Sequence, residues 1–131
     1  MRLFVAETPG NWAELTDGDQ QTVRVAAADL QQARRASARI RARDVDVAVI
    51  LDVTVAVAGD FRSARRVLES DGATVYYAGT VDGLAGLISD IERADVADGV
   101  TLIPGSPRQD VEALGRDVLH RLASRVHPRA S

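Results

Sequence analysis

The sequence predicts an α/β fold, a parallel sheet of about five strands built from βα repeats. Three observations carry that expectation. Short apolar runs alternate with helical stripes along the chain. The run "VDVAVILDV", Val45 to Val53, is apolar at every central position instead of every second one, which marks a strand covered on both faces. The connections between runs and stripes are short, as right-handed βα crossovers require.

Taken in order, Leu3 to Ala6 is a short apolar strand closed by the turn residues Thr8-Pro9-Gly10. Gly10 to Gln21 is polar, carries Trp12 and Gly18, and reads as a loop. Thr22 to Ala26 is a second strand, and Asp29 caps the helix after it, with Leu30, Ala33 and Ile40 on one face. Val45 to Val53 is the third strand. A helix over Asp60 to Glu69 follows, ended by the "SDG" of Ser70 to Gly72 in the manner of a C-cap. Ala73 to Ala78 is the fourth strand, and Val81, Leu84, Leu87, Ile88 and Ile91 form the stripe of the next helix. Gly83 and Gly86 weaken that helix by about 1 kcal/mol each relative to alanine, so they mark close packing. Val100 to Ile103 is the last strand, and Val111, Leu114, Val118, Leu122 and Val126 share one face of the closing helix.

The 131 residues form one domain, residues 1–131, with enough chain for a single core. The net charge of −3 gives no field for nucleic acid or an anionic membrane. Every basic side chain other than histidine is an arginine, and the basic face of "RRASARIRAR" reads as solvated surface. There is no cysteine, which excludes disulfides and thiolate chemistry. No apolar run approaches a membrane span, and "MRLFVAET" lacks a signal-peptide core, so a cytoplasmic protein is expected.

Ligands of parallel α/β sheets bind at the carboxyl ends of the strands. There the sequence places Glu7 and Thr8, Ala27 to Asp29, Asp52 and Thr54, Gly79 and Thr80, and Pro104, Gly105, Ser106 and Arg108. Gly79 with Thr80, and Gly105 with Ser106, each set a glycine and a hydroxyl just ahead of a helix, where free N–H groups and the helix dipole favour an anion. Arg108 adds a cation. The same residues also suit plain N-caps and tight turns, and no GxxxxGK[ST] or GxGxxG motif decides between the readings. Asp52 lies near a strand's carboxyl end, where a barrel enzyme would place a carboxylate, although capping and solvation are the commoner uses. His120 and His127 are read as non-ligating. Of Tyr76 and Tyr77, on opposite faces of one strand, one belongs to the core and one to the surface. No metal site and no catalytic residue is assigned.

Four pieces then resemble the C-terminal part of luciferase-like flavin-dependent monooxygenases: "AAADLQQARRASARIRAR", "VDVAVILDVTVAVAGDFRSARRVLES", "YYAGTVDGLAGLISDIERADVADGVTLIPGSP" and "DVEALGRDVLHRLASR". In order and spacing they run from Ala26 to Arg125. The resemblance implies a partial, half TIM-barrel-like sheet, an oxidoreductase or monooxygenase type of protein, and FMN or the deazaflavin F420 as cofactor. It implies a small-molecule substrate and transfers Gly79 and Thr80 as motif positions. Val81 stands where the family usually has proline. A closed eight-stranded barrel takes at least ~200 residues, so five strands leave one side open. A second copy of the chain or a partner protein is expected to cover it. The alternatives are a non-catalytic assembly module for a fuller barrel protein, or a small α/β domain that binds a phosphorylated metabolite.

Overall fold

The computed structural model describes residues 1–8, 10–69 and 72–126. Its strands are β1 (Arg2–Ala6), β2 (Trp12–Glu14), β3 (Thr22–Val25), β4 (Ala48–Val57), β5 (Val75–Gly79) and β6 (Gly99–Pro104). Its helices are α1 (Leu30–Arg43), α2 (Phe61–Val67), α3 (Val81–Arg93) and α4 (Val111–Val126). The α/β class, the parallel strands and the βα alternation are as the sequence predicts. The sheet curls into a partial, half-barrel-like layer.

The strands do not lie in chain order. They pair as β2-β1-β6-β4-β3, with β5 joining the same side of β4 as β3. The long β4 makes this possible. Its first half pairs with β3, from Ala48 to Leu51, and its second half with β5, from Val53 to Val57. All these pairings are parallel except that of β2 with β1.

The direction of each crossover decides which face its helix covers. The steps β3 to β4 and β5 to β6 run one way across the sheet, whereas β4 to β5 runs back. Right-handed crossovers in opposite directions put their helices on opposite faces. Accordingly α1, α3 and α4 share one core with Leu3, Val25, Val49, Leu51, Val53, Val100 and Leu102. The end of α2 meets the other face, where Leu68 closes on Thr54 and Gly105.

The ends of the elements follow local chemistry. Asp29, Asp60 and Thr80 cap α1, α2 and α3, each accepting from the backbone N–H three residues on. Ser37, buried on α1, donates to the carbonyl of Val96. Gly83 leaves room for the Tyr77 ring, whose hydroxyl donates to the carbonyl of Thr80 at 2.9 Å. Tyr77 packs against the main core, whereas Tyr76 is 49% exposed.

Three details of the sequence reading change. The Gly10–Gln21 segment is not wholly a loop, because Trp12–Glu14 adds the antiparallel edge strand β2. The third strand begins three residues later than expected, at Ala48, and runs four residues further, to Val57, so Asp52 and Thr54 are mid-strand. The C-cap of α2 is Leu68; of the "SDG" proposed for that cap, Ser70 and Asp71 lie outside the described residues, and Gly72 takes a positive φ of 77°.

Candidate functional site

In-register parallel partners point to the same face, so the strand register sorts the side chains. Phe4, Thr101, Ile50, Asp52 and Arg24 fall on the face opposite the three-helix core. This is the concave side. Phe4, Ala48 and Ile50 form a small second core there, with Trp12 packed on it. The Trp12 and Phe4 rings stack at 4.4 Å and 11°. The indole N–H donates to Thr101 Oγ1 at 2.9 Å, which satisfies a fully buried hydroxyl.

Arg24 reaches into this concavity from the far edge of the sheet. Its Nε donates to Asp52 Oδ1 at 2.7 Å, and its guanidinium lies 5.5 Å from the Trp12 ring centroid. Asp52 is 8% exposed. A carboxylate so deeply placed requires a partner, and Arg24 supplies it. The ion pair and the aromatic ring together fix the plane of the guanidinium.

The guanidinium borders an open cleft of about 330 Å³, lined by Ala6, Glu7, Thr8, Arg24, Ile103 and Pro104. The cleft stands where the strands end and their continuations part. After β6 the chain goes to α4, packed against β1 on the helical face. After β1 it turns through the β2 hairpin, whose Trp12 covers the concave face. Such a parting of connections is where open α/β sheets place ligands. A volume of this order matches small-ligand sites. A second hollow of about 410 Å³, lined by Glu7, Asp110, Glu112, Ala113 and Arg116, lies beyond Glu7, and Arg116 already pairs with Glu112 at 3.1 Å.

The anion-site residues expected from sequence are divided by β4. Gly79 and Thr80 end β5 on one side of it, and Gly105, Ser106 and Arg108 follow β6 on the other. Most of their backbone groups are engaged within the protein. The carbonyl of Gly79 accepts from Ala58, and Thr80 Oγ1 accepts from Gly83 N–H. The N–H of Gly105 donates to the Val55 carbonyl at 2.7 Å. Ser106 is not the N-cap of α4, because Asp110 accepts from Ala113 N–H in that role. Ser106 Oγ accepts instead from Arg108 N–H in a turn, and the Arg108 side chain is exposed.

Sequence reasoning passed over Arg24, Trp12, Thr101 and Ile103. One signal was present. An arginine inside "TVRV" and an aspartate inside "VILDVTV" are each a charge within an otherwise apolar strand, and two such charges in a small domain call for each other. Among the described residues no three metal-binding side chains converge, and no helix is long and apolar enough to cross a membrane.

No protein-family model and no curated protein sequence matches this chain.

Proposed function

We propose that the chain is a small-molecule-binding α/β module of the luciferase-like type, with its ligand in the cleft at the carboxyl ends of β1 and β6. The observation that carries this reading is the preorganised guanidinium of Arg24 beside an apolar wall of Ile103 and Pro104. The resemblance supplies the ligand class, FMN or F420. An isoalloxazine-type ring system would lie along Ile103 and Pro104, with its phosphate-bearing chain toward Ser106 and Arg108 in the turn that follows β6. Bound flavin would supply redox chemistry, and the open cleft leaves such chemistry dependent on a covering that excludes water.

Titration of the purified chain with FMN, F420 and riboflavin tests the proposal. Quenching of flavin fluorescence at micromolar concentration, weaker for riboflavin than for FMN, is the expected result. Absence of quenching and of any calorimetric heat with all three would remove the flavin reading.

A second reading, an assembly module, is favoured by one observation. Phe61, Val67 and Tyr76 are exposed to 59%, 47% and 49%, and they gather on α2 and β5, whose strand sequence "VYYAG" carries no charge. Such uncharged edges invite pairing with another chain. Sedimentation that gives a concentration-independent monomer mass would remove it.

A further inference from the structure

We propose that the cleft between the ends of β1 and β6 selects a planar, singly charged carboxylate on an otherwise apolar ligand, and that Arg24 is the group that reads it. The inference rests on this cleft being the ligand site; it names the group that the Arg24 end takes, apart from the phosphate-bearing chain directed toward Ser106 and Arg108.

The guanidinium of Arg24 carries three nitrogens that donate. Its Nε is committed to Asp52. Among the described residues, the two terminal nitrogens bond no protein acceptor, and they belong to a side chain that is 30% exposed at the cleft. Two parallel N–H donors in one plane match the two oxygens of a carboxylate. The plane is already held by Asp52 and by the Trp12 ring, so little freedom remains to be lost on binding.

The charge around the cleft then discriminates. Among the described residues Arg24 is the one cation lining it; its Nε is held by the Asp52 carboxylate, and Glu7 is an acidic residue of the same lining. The guanidinium already balances Asp52, so a ligand carboxylate is held through the two free N–H donors and adds a single charge to the pair. Held at the Arg24 fork, the second charge of a phosphate dianion would find no further cation among the described lining residues, with the acidic residues Asp52 and Glu7 nearby, an arrangement that works against a phosphate at this end of the site. Beyond the charged end, Ala6, Ile103 and Pro104 offer apolar surface for the ligand body, with the Thr8 hydroxyl at the rim.

The chain has a single tryptophan, Trp12, and it lies against Arg24, so its emission reports occupancy of the cleft. The full chain is titrated with benzoate, phenyl phosphate and benzamide, followed by fluorescence and by calorimetry. Benzoate is expected to bind roughly tenfold more tightly than either of the others. Arg24→Lys, which keeps the charge and loses the fork, is expected to erase that preference while its thermal transition stays cooperative. Equal or tighter binding of phenyl phosphate or benzamide overturns the proposal, and the wild-type series alone decides this if the variant does not fold. Competition separates the two levels. Flavin binding that benzoate neither displaces nor accompanies ends the carboxylate assignment and leaves the flavin reading, whereas benzoate binding without flavin binding does the reverse.

Discussion

Arg24 and Trp12 belong to β3 and β2, the strands at opposite ends of the pairing order, yet the guanidinium lies 5.5 Å from the indole centroid. Across a flat sheet, four strand spacings of ~4.8 Å would hold the two edges ~19 Å apart, further than both side chains can span. The contact therefore measures the curl of the sheet. It also closes the concave side from within. Phe4 and Ile50 are buried there by the chain's own Trp12, so the bare apolar face expected of a five-stranded half-barrel is not found at this position.

Trp12 should then matter to stability out of proportion to the three-residue strand that carries it. Trp12→Phe keeps the stack on Phe4 but leaves the Thr101 hydroxyl without its donor, at a cost of about 1 kcal/mol. Trp12→Ala removes the stack as well and uncovers Phe4 and Ile50, and is expected to cost about 2–4 kcal/mol. Urea unfolding followed by far-UV circular dichroism reads both. Equal stability of the two variants would mean that the ring contributes only its hydrogen bond.

The Arg24–Asp52 pair should behave as a unit. Asp52→Ala leaves Arg24 without its carboxylate, and Arg24→Ala leaves a buried carboxylate alone, so each single change is expected to cost about 2–4 kcal/mol, the second more than the first. The double change to alanine should cost clearly less than the sum, with a coupling of about 1–3 kcal/mol. Additive losses would show that the two residues act independently.

How far the fold could be read from the residues depends on where its signals were local. Apolar runs, helix stripes and the Asp29 and Thr80 caps are written in neighbouring residues, and these elements appear where periodicity puts them. The order β1-β6-β4 is a long-range choice with no local mark. Strand β2 was hidden because Trp12–Glu14 has no alternating pattern and forms only by pairing with β1. The site was less legible for the same reason. Arg24, Asp52, Thr101 and Trp12 are far apart in sequence and meet only once the sheet has curled. Gly79, Thr80, Gly105 and Ser106 were conspicuous in sequence because turns and caps use the same residue types as anion sites.

Acid should loosen the β1–β2 edge before the rest of the sheet. Glu14 accepts from Arg2 Nη2 at 2.7 Å and Nε at 2.9 Å. The bond from Arg2, helped by Thr16 and by Gly18 N–H against the cost of burial, lowers its pKa from 4.5 to about 2. A carboxylate whose folded pKa is depressed contributes stability above the unfolded value and loses it as pH falls toward the folded one. The window is therefore from about 4.5 down to about 2. The contribution at neutral pH is about 1–3 kcal/mol. Glu14→Gln should be less stable than wild type at pH near 7, with the gap narrowing steadily through that window. Urea midpoints measured at several pH values check it, and a gap that stays constant with pH would exclude Glu14 as its source.

Thr80→Ala and Gly105→Ala separate a structural role from a ligand role at the strand ends. Thr80 caps α3, so its loss should cost about 1 kcal/mol, as N-cap deletions do. A Cβ at Gly105 would stand 2.9 Å from the Val55 carbonyl oxygen and 2.8 Å from Leu68 Cδ1. The Val55 carbonyl belongs to a central strand and cannot yield, so about 2 kcal/mol or more is expected. Gly59→Ala is the control, since no atom lies within 4 Å of its added methyl. Thermal unfolding with and without FMN tests both sites together. If these residues serve only turns and caps, the variants lose stability while the shift produced by FMN is unchanged. A shift that disappears in Thr80→Ala, with the fold intact, would move the phosphate site from the end of β6 to the end of β5.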